Sequence, residues 1–199
     1  EFPVQTYTQQ ETEYVTMLKS SDDVSSRTEL ARLYFEHNEL EKADSLLEKL
    51  AAENKDNAEV LAWYGANNCK IAGKKGPWLL GIDKIFLAKA CLQQIQDALK
   101  KDSENFTIQM IAIHTGAAVN AFDSLNMARA EMQKIAGEVT KKSNAYTPAA
   151  LFNYYYASAL VELAAENRSA AKEHLTKANS FDVNPNQKQL VQQQLDKLK

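Results

Sequence analysis

The sequence predicts an all-α protein, an α-solenoid in which helical hairpins are stacked one after another. Three observations carry this reading. Small residues recur in pairs 12 positions apart, at Ala31/Ala43, Gly116/Ala128 and Ala159/Ala171. Each member of a pair sits in a stretch with apolar residues at helical spacing. Leu30, Leu33, Tyr34 and His37 form one such face, and Leu40, Ala43, Leu46, Leu47 and Leu50 the next. Polar stretches rich in turn formers (Asn38-Glu39, NKDN, KKDSEN, KKSNAYT) separate these runs. A small residue on each of two facing helices lets the backbones approach, because the distance between helices is set by the side chains at the crossing.

Taken in order, residues 1–25 read as a leading helix and a turn. Tyr7, Tyr14, Val15 and Leu18 give Val4 to Lys19 a helical face, and SSDDVSSR breaks it because Ser and Asp satisfy backbone groups locally. Residues 26–57 form the first hairpin. The second, 58–105, opens with Leu61, Trp63, Tyr64 and Gly65 and closes with Cys91, Ile95, Ala98 and Leu99. Gly65 and Cys91 lie 26 apart, which is the usual 12 enlarged by an insertion of 14, residues 73–86 (GKKGPWLLGIDKIF). Gly73, Gly76 and Pro77 predict a loop there, with Pro77 in the first turn of a long helix that continues through Trp78, Leu79, Leu80, Ile82, Ile85, Phe86 and Leu87. The third hairpin, 106–143, predicts helices over roughly Asn105–Phe122 and Ser124–Lys141, and the fourth, 144–184, opens at Pro148. Residues 185–199 predict a polar capping helix, as the ends of stacked-repeat proteins require.

A period near 34 with these small residues resembles the tetratricopeptide-repeat superfamily over about residues 26–182. The long insertion makes the second repeat similar to bacterial repeat proteins of unassigned function. The resemblance implies a right-handed superhelix whose first helices line a concave groove. The chain departs from the family at the proline after the second helix, where Lys55, Ser103 and Val183 stand instead in three of the units.

Composition narrows the function classes. The chain has 199 residues, 45% hydrophobic and 25% charged, with six Gly and four Pro, which suits one ordered domain spanning 1–199. A net charge of −3 supplies no electrostatic reason for nucleic-acid binding. The most apolar stretch, Met110 to Phe122, is too short to span a membrane and is interrupted by His114 and Asn120. His37, His114 and His174 are isolated, with no partner at metal-ligand spacing, and GKKGPWLLG lacks the phosphate-loop spacing. We therefore expect no enzyme, no catalytic residue, no metal and no cofactor. Cys69 and Cys91 read first as small buried hydrophobes, with a disulfide as the other reading in an oxidising compartment. A start at Glu1-Phe2 without Met is read as the trace of a removed leader or of an excised domain, and the expected location is periplasmic or secreted, with cytoplasmic as the alternative.

The expected function is a protein-interaction scaffold that binds a peptide or protein segment in the groove. Its lining is expected from Thr28, Arg32, Phe35, Ala66, Cys69, Ile113, Asn120, Tyr156 and Leu160, with Arg32, Phe35 and Tyr156 as the main contacts. Thr28 and Arg32 stand where chaperone-binding members of the family carry a Lys and an Asn, so a carboxylate clamp is not expected. The alternative is a carrier of a lipid or small apolar molecule, held by Ala62, Ala66, Ile113 and Leu160. In the aromatic run, Phe152 and Tyr155 are expected in the core and Tyr154 and Tyr156 to point elsewhere. The insertion has two readings: an extended helix packed on the repeats, or an exposed docking edge of Lys74, Lys75, Trp78, Leu79 and Leu80 for a protein or a membrane surface.

Overall fold

The structure, a computed structural model, describes residues 3–74 and 82–198. The described residues form ten α-helices and no strand: α1 (Gln9–Lys19), α2 (Val24–Glu36), α3 (Leu40–Glu53), α4 (Ala58–Lys74), α5 (Ile82–Lys101), α6 (Phe106–Val119), α7 (Ser124–Lys141), α8 (Pro148–Ala164), α9 (Arg168–Asn179) and α10 (Pro185–Asp196). Among the described residues a 3-10 turn covers Ser143–Ala145. The chain divides into two compact units, Glu1–Ile111 and Ala112–Lys199.

Helix starts follow from short polar side chains that satisfy the free backbone N–H groups of a first turn. Thr8 accepts from the Glu11 backbone while Glu11 answers the Thr8 N–H, and Asn184 and Gln187 repeat this reciprocal pair at α10. Asp23, Thr147 and Asn167 accept in the same way at α2, α8 and α9. Proline occupies the first turn of α8 and α10, where its missing N–H costs nothing. Between α2 and α3 the chain reverses through Asn38, and between α8 and α9 through Glu166, each with positive φ (62° and 60°). Asn tolerates this region better than most residues.

In the first unit α1 packs on α2, α2 on α3, α3 on α4 and α4 on α5, and α2 also touches α4. Leu40, Leu47, Leu50, Val60 and Ile95 are fully buried between these helices. Gly65 marks the α4–α5 crossing: a Cβ there would lie 3.0 Å from the Cys91 carbonyl oxygen and 2.9 Å from Ile95 Cγ1. The expected pairing of Gly65 with Cys91 across the insertion is therefore met. In the second unit α7 packs on α8, α8 on α9 and α9 on α10. Gly116 is tighter still, since a Cβ would lie 2.5 Å from the Ser124 carbonyl oxygen and 2.8 Å from Ala128 Cβ. Ala31, Ala43, Ala159 and Ala171 are all fully buried.

Several expectations are corrected. The leading helix begins at Gln9, and residues 3–8 form no helix. They lie against the α2–α3 turn: the Gln5 N–H donates to the His37 carbonyl, Asn38 Nδ2 to the Pro3 carbonyl, and Tyr7 stacks on His37 at 3.9 Å. Gly73 belongs to the last turn of α4 and not to a loop, a place where a flexible residue costs a helix little. Gly76, Pro77, Trp78, Leu79 and Leu80 lie outside the described residues. Cys69 and Cys91 are buried, as first read, but they are joined by a disulfide that links α4 to α5 with Cα atoms 5.3 Å apart. That spacing lies within the range a disulfide spans without moving the backbone.

Candidate functional site

The expected groove residues fall into three groups. Thr28, Ala66, Cys69 and Ile113 are buried and offer a partner no surface. So are Ala62 and, with Ile113, most of the residues expected to line a carrier channel; Leu160 is half-buried. Asn120 is exposed in a left-handed conformation (φ 45°) and donates through Nδ2 to the Ala164 carbonyl at 3.3 Å, which ties off the end of α8.

Tyr156 is half-buried. Its ring stacks with Phe152 at 5.8 Å and packs on a core of Phe152, Ala159, Leu175, Ala178 and Val191, the last of these from α10. Burial raises its phenol above the ordinary range, and Gln194 of α10 hydrogen-bonds it. Tyr155 joins the same core through Phe181 at 5.7 Å, as expected. Tyr154, expected to point away, is buried against α7 and donates its hydroxyl to the Met132 carbonyl at 3.1 Å. Helix α10 covers Tyr156, and the Met132 carbonyl of α7 gives the buried Tyr154 hydroxyl the acceptor it needs.

Arg32 and Phe35 remain on a surface, and here the structure assembles a site. Arg32 Nε and Nη2 donate to the two carboxylate oxygens of Glu29 at 2.7 and 2.6 Å, and Nη1 donates to Glu36 at 2.5 Å. The bidentate bond to Glu29 does most to hold the guanidinium charged, and the fork geometry makes it rigid. One turn on, the half-buried Phe35 ring is tilted against Trp63 of α4 at 5.6 Å between centroids. The Lys70 ammonium sits 4.3 Å over the Phe35 ring and donates to the Phe35 carbonyl at 3.1 Å. Burial lowers the Lys70 pKa, and Glu36 opposes the shift. The α2–α4 face thus presents an aromatic ring rimmed by two cations and two carboxylates, whose charges cancel.

Sequence reasoning missed Lys70, Trp63, Glu29 and Glu36. The signal was present, since Glu29, Arg32 and Glu36 stand at the three- and four-residue spacings that bring side chains together on a helix. Lys70 becomes visible only once α4 lies beside α2. On the α2–α3 seam a wide-open depression of about 540 Å³ is lined by Tyr34, Leu46 and Lys49 among others. It is too open to enclose a small molecule, which needs most of its surface covered.

Of the expected docking edge, Lys74 is exposed and donates to Glu41 at 3.5 Å; Lys75, Trp78, Leu79 and Leu80 lie outside the described residues. Among the described residues no group of His, Cys, Asp and Glu could hold a metal ion, and no helix is long and apolar enough to cross a membrane. No protein-family model, curated protein or solved structure matches the chain.

Proposed function

We propose that the chain is a non-catalytic scaffold whose hairpins stack as tetratricopeptide-like repeats in a right-handed α-solenoid. In this reading it holds a peptide or protein segment on the α2–α4 face. The contact of α2 with both α3 and α4 supports stacked hairpins, as do the small residues buried at each crossing. The observation that carries the binding reading is the Phe35 ring, half-buried between Trp63 and Lys70 and flanked by an Arg32 already fixed by Glu29 and Glu36. Side chains held in place before binding lose little entropy on contact, and aromatic and Arg residues dominate the energetics of such surfaces. Because the four charges cancel, the preferred partner carries an apolar or aromatic anchor for Phe35, not an acidic tail.

The disulfide supports an oxidising compartment, periplasmic or extracellular, since such bonds are rare where glutathione keeps thiols reduced.

A pull-down from extract of the source organism tests the binding reading. The parent chain, Phe35→Ala and Tyr156→Ala are compared after each is checked for unchanged helicity. The expected result is a partner held by the parent and by Tyr156→Ala and lost from Phe35→Ala. A partner held equally by all three would move the site away from α2–α4. A lipid or small molecule in the native mass spectrum, with no partner, would favour a carrier.

A further inference from the structure

The segment before α1, the first turn of α1 and the corner that joins α2 to α3 meet around one side chain. His37 is 7% exposed, and each of its ring nitrogens faces an oxygen from the N-terminal part of the chain. Nδ1 lies 3.4 Å from the Gln5 carbonyl oxygen, and Nε2 lies 3.3 Å from Glu11 Oε1 of α1. Tyr7 covers the ring face at 3.9 Å between centroids and donates its hydroxyl to Glu39 Oε1 at 2.6 Å. Glu39 Oε2 accepts from Lys42 of α3. The titratable groups around His37 are therefore Tyr7 from the segment, Glu11 from α1 and Glu39 from the corner, with Lys42 behind Glu39 and Tyr34 beside Tyr7.

A neutral imidazole carries one N–H and cannot serve two acceptors, whereas the imidazolium carries two. In the neutral ring one bare nitrogen faces another lone pair, so one of the two contacts is not a bond. Charging the ring satisfies both, adds an ion pair to Glu11 and sets a cation against the Tyr7 π face. Glu11 is ready to answer that charge. The Thr8 backbone N–H does most to hold its carboxyl below the ordinary range, and His37 adds to this. Two other bonds do not depend on the proton: the Gln5 N–H donates to the His37 carbonyl at 2.9 Å, and Asn38 Nδ2 to the Pro3 carbonyl at 2.7 Å. They set the register of the segment and leave the ring to decide how firmly it is held. Histidine is the side chain whose charge ordinarily changes between about pH 5 and 8.

We propose that residues 3–8 are a pH-operated latch on the α2–α3 corner, closed when His37 carries a proton and loosened when it does not. Acid tightens the latch. Opening it uncovers the His37 ring and the Glu39 carboxylate while the helices stay packed. The latch uses contacts apart from the Phe35 site and holds whether or not the α2–α4 face binds a partner.

Nuclear magnetic resonance of the full chain tests it. The His37 ring signals and the exchange of the Gln5 amide, corrected for its intrinsic rate, are followed from about pH 5.5 to 8.5. In the parent, protection of that amide should fall about fivefold as pH rises, the worth of one hydrogen bond and one partly exposed ion pair. The fall should track the titration of the His37 ring in the same sample. Glu11→Gln keeps an acceptor and removes the charge, and should shrink the fall to about twofold. His37→Phe keeps a ring for Tyr7 to stack on, and should make protection the same at every pH. Protection that does not change with pH in the parent would overturn the proposal. So would a fall that does not track the ring, or one that His37→Phe retains. If circular dichroism shows that His37→Phe has lost helix, Glu11→Gln decides alone, and an undiminished fall there overturns the latch.

Discussion

Helices α2 and α8 stand at equivalent places in their hairpins, and the same register positions behave differently in the two. Counting from the fully buried Ala31 and Ala159, Thr28 and Arg32 in α2 correspond to Tyr156 and Leu160 in α8. In α2 this side carries an ion-paired Arg32 and leads to a half-exposed Phe35. In α8 it carries Tyr156, folded under by Gln194 and Val191 of α10. Helical periodicity tells which side of a helix a residue occupies. Whether that side is free depends on what the chain lays over it later, and here the last helix makes the difference.

The two units also close their tightest crossings differently, which orders the expected effects of substitution. The largest is at the α4–α5 crossing, where backbone approach is reinforced by a covalent link. Cys69→Ser/Cys91→Ser should lose about 3 kcal/mol in urea unfolding, because closing a loop of this length restricts the unfolded chain by about that much. Reducing agent should destabilise the parent similarly and leave the variant unchanged.

Gly116→Ala comes next, at about 2–3 kcal/mol, since its Cβ would meet a backbone oxygen and Ala128, neither of which can swing aside. Gly65→Ala should cost less, about 1–2 kcal/mol, because its nearest contacts, Ile95 Cγ1 at 2.9 Å and the Cys91 carbonyl at 3.0 Å, are looser than those at Gly116. Equal losses at both glycines would contradict the difference between the crossings.

Truncating the two equivalent surfaces sharpens the α2–α8 comparison. Tyr156→Ala should cost about 2 kcal/mol, since it removes a half-buried ring from the α8–α10 core. Arg32→Ala should cost less than about 1 kcal/mol, the ordinary worth of exposed ion pairs. The reverse ranking in thermal unfolding would mean that α10 does not cover Tyr156.

Acid should act through the second unit. Burial lowers the His114 pKa below its ordinary 6.5, with Asn153 hydrogen-bonding the ring and opposing the shift. The unfolded chain therefore takes up a proton first as pH falls, and stability drops below about pH 6.5. His114→Asn should flatten the decline in thermal midpoint as pH falls through about 6.5. A slope identical to the parent's would remove His114 as its source. The smallest effect is a gain: Gly137→Ala in α7 meets open space and should stabilise by about 0.5–1 kcal/mol through helix propensity.

Much of this architecture is legible in the sequence. Ser124–Lys141, Pro148 and Pro185 mark helix limits that the structure reproduces, because caps and prolines act locally. Gly65 and Cys91 were correctly paired across an insertion because close backbone contact leaves few alternatives to a small residue. The features that were not legible depend on distant parts of the chain. Two cysteines 22 apart in sequence follow no motif, and only the return of α5 along α4 brings them together. The aromatic run of α8 shows spacing but not the carbonyl of Met132 or the arrival of α10. Tyr7 reads as helical, whereas it lies before α1 and stacks on His37.

The disulfide also alters the topology of the chain. The Cys69–Cys91 bond closes residues 69–91 into a covalent ring. A protease that cuts once anywhere within that ring opens it without releasing either fragment. The nicked protein would keep its mass apart from one added water and would run as a single species until reduced. A segment bracketed in this way can be clipped, or replaced by an inserted sequence, while the helices on either side stay joined.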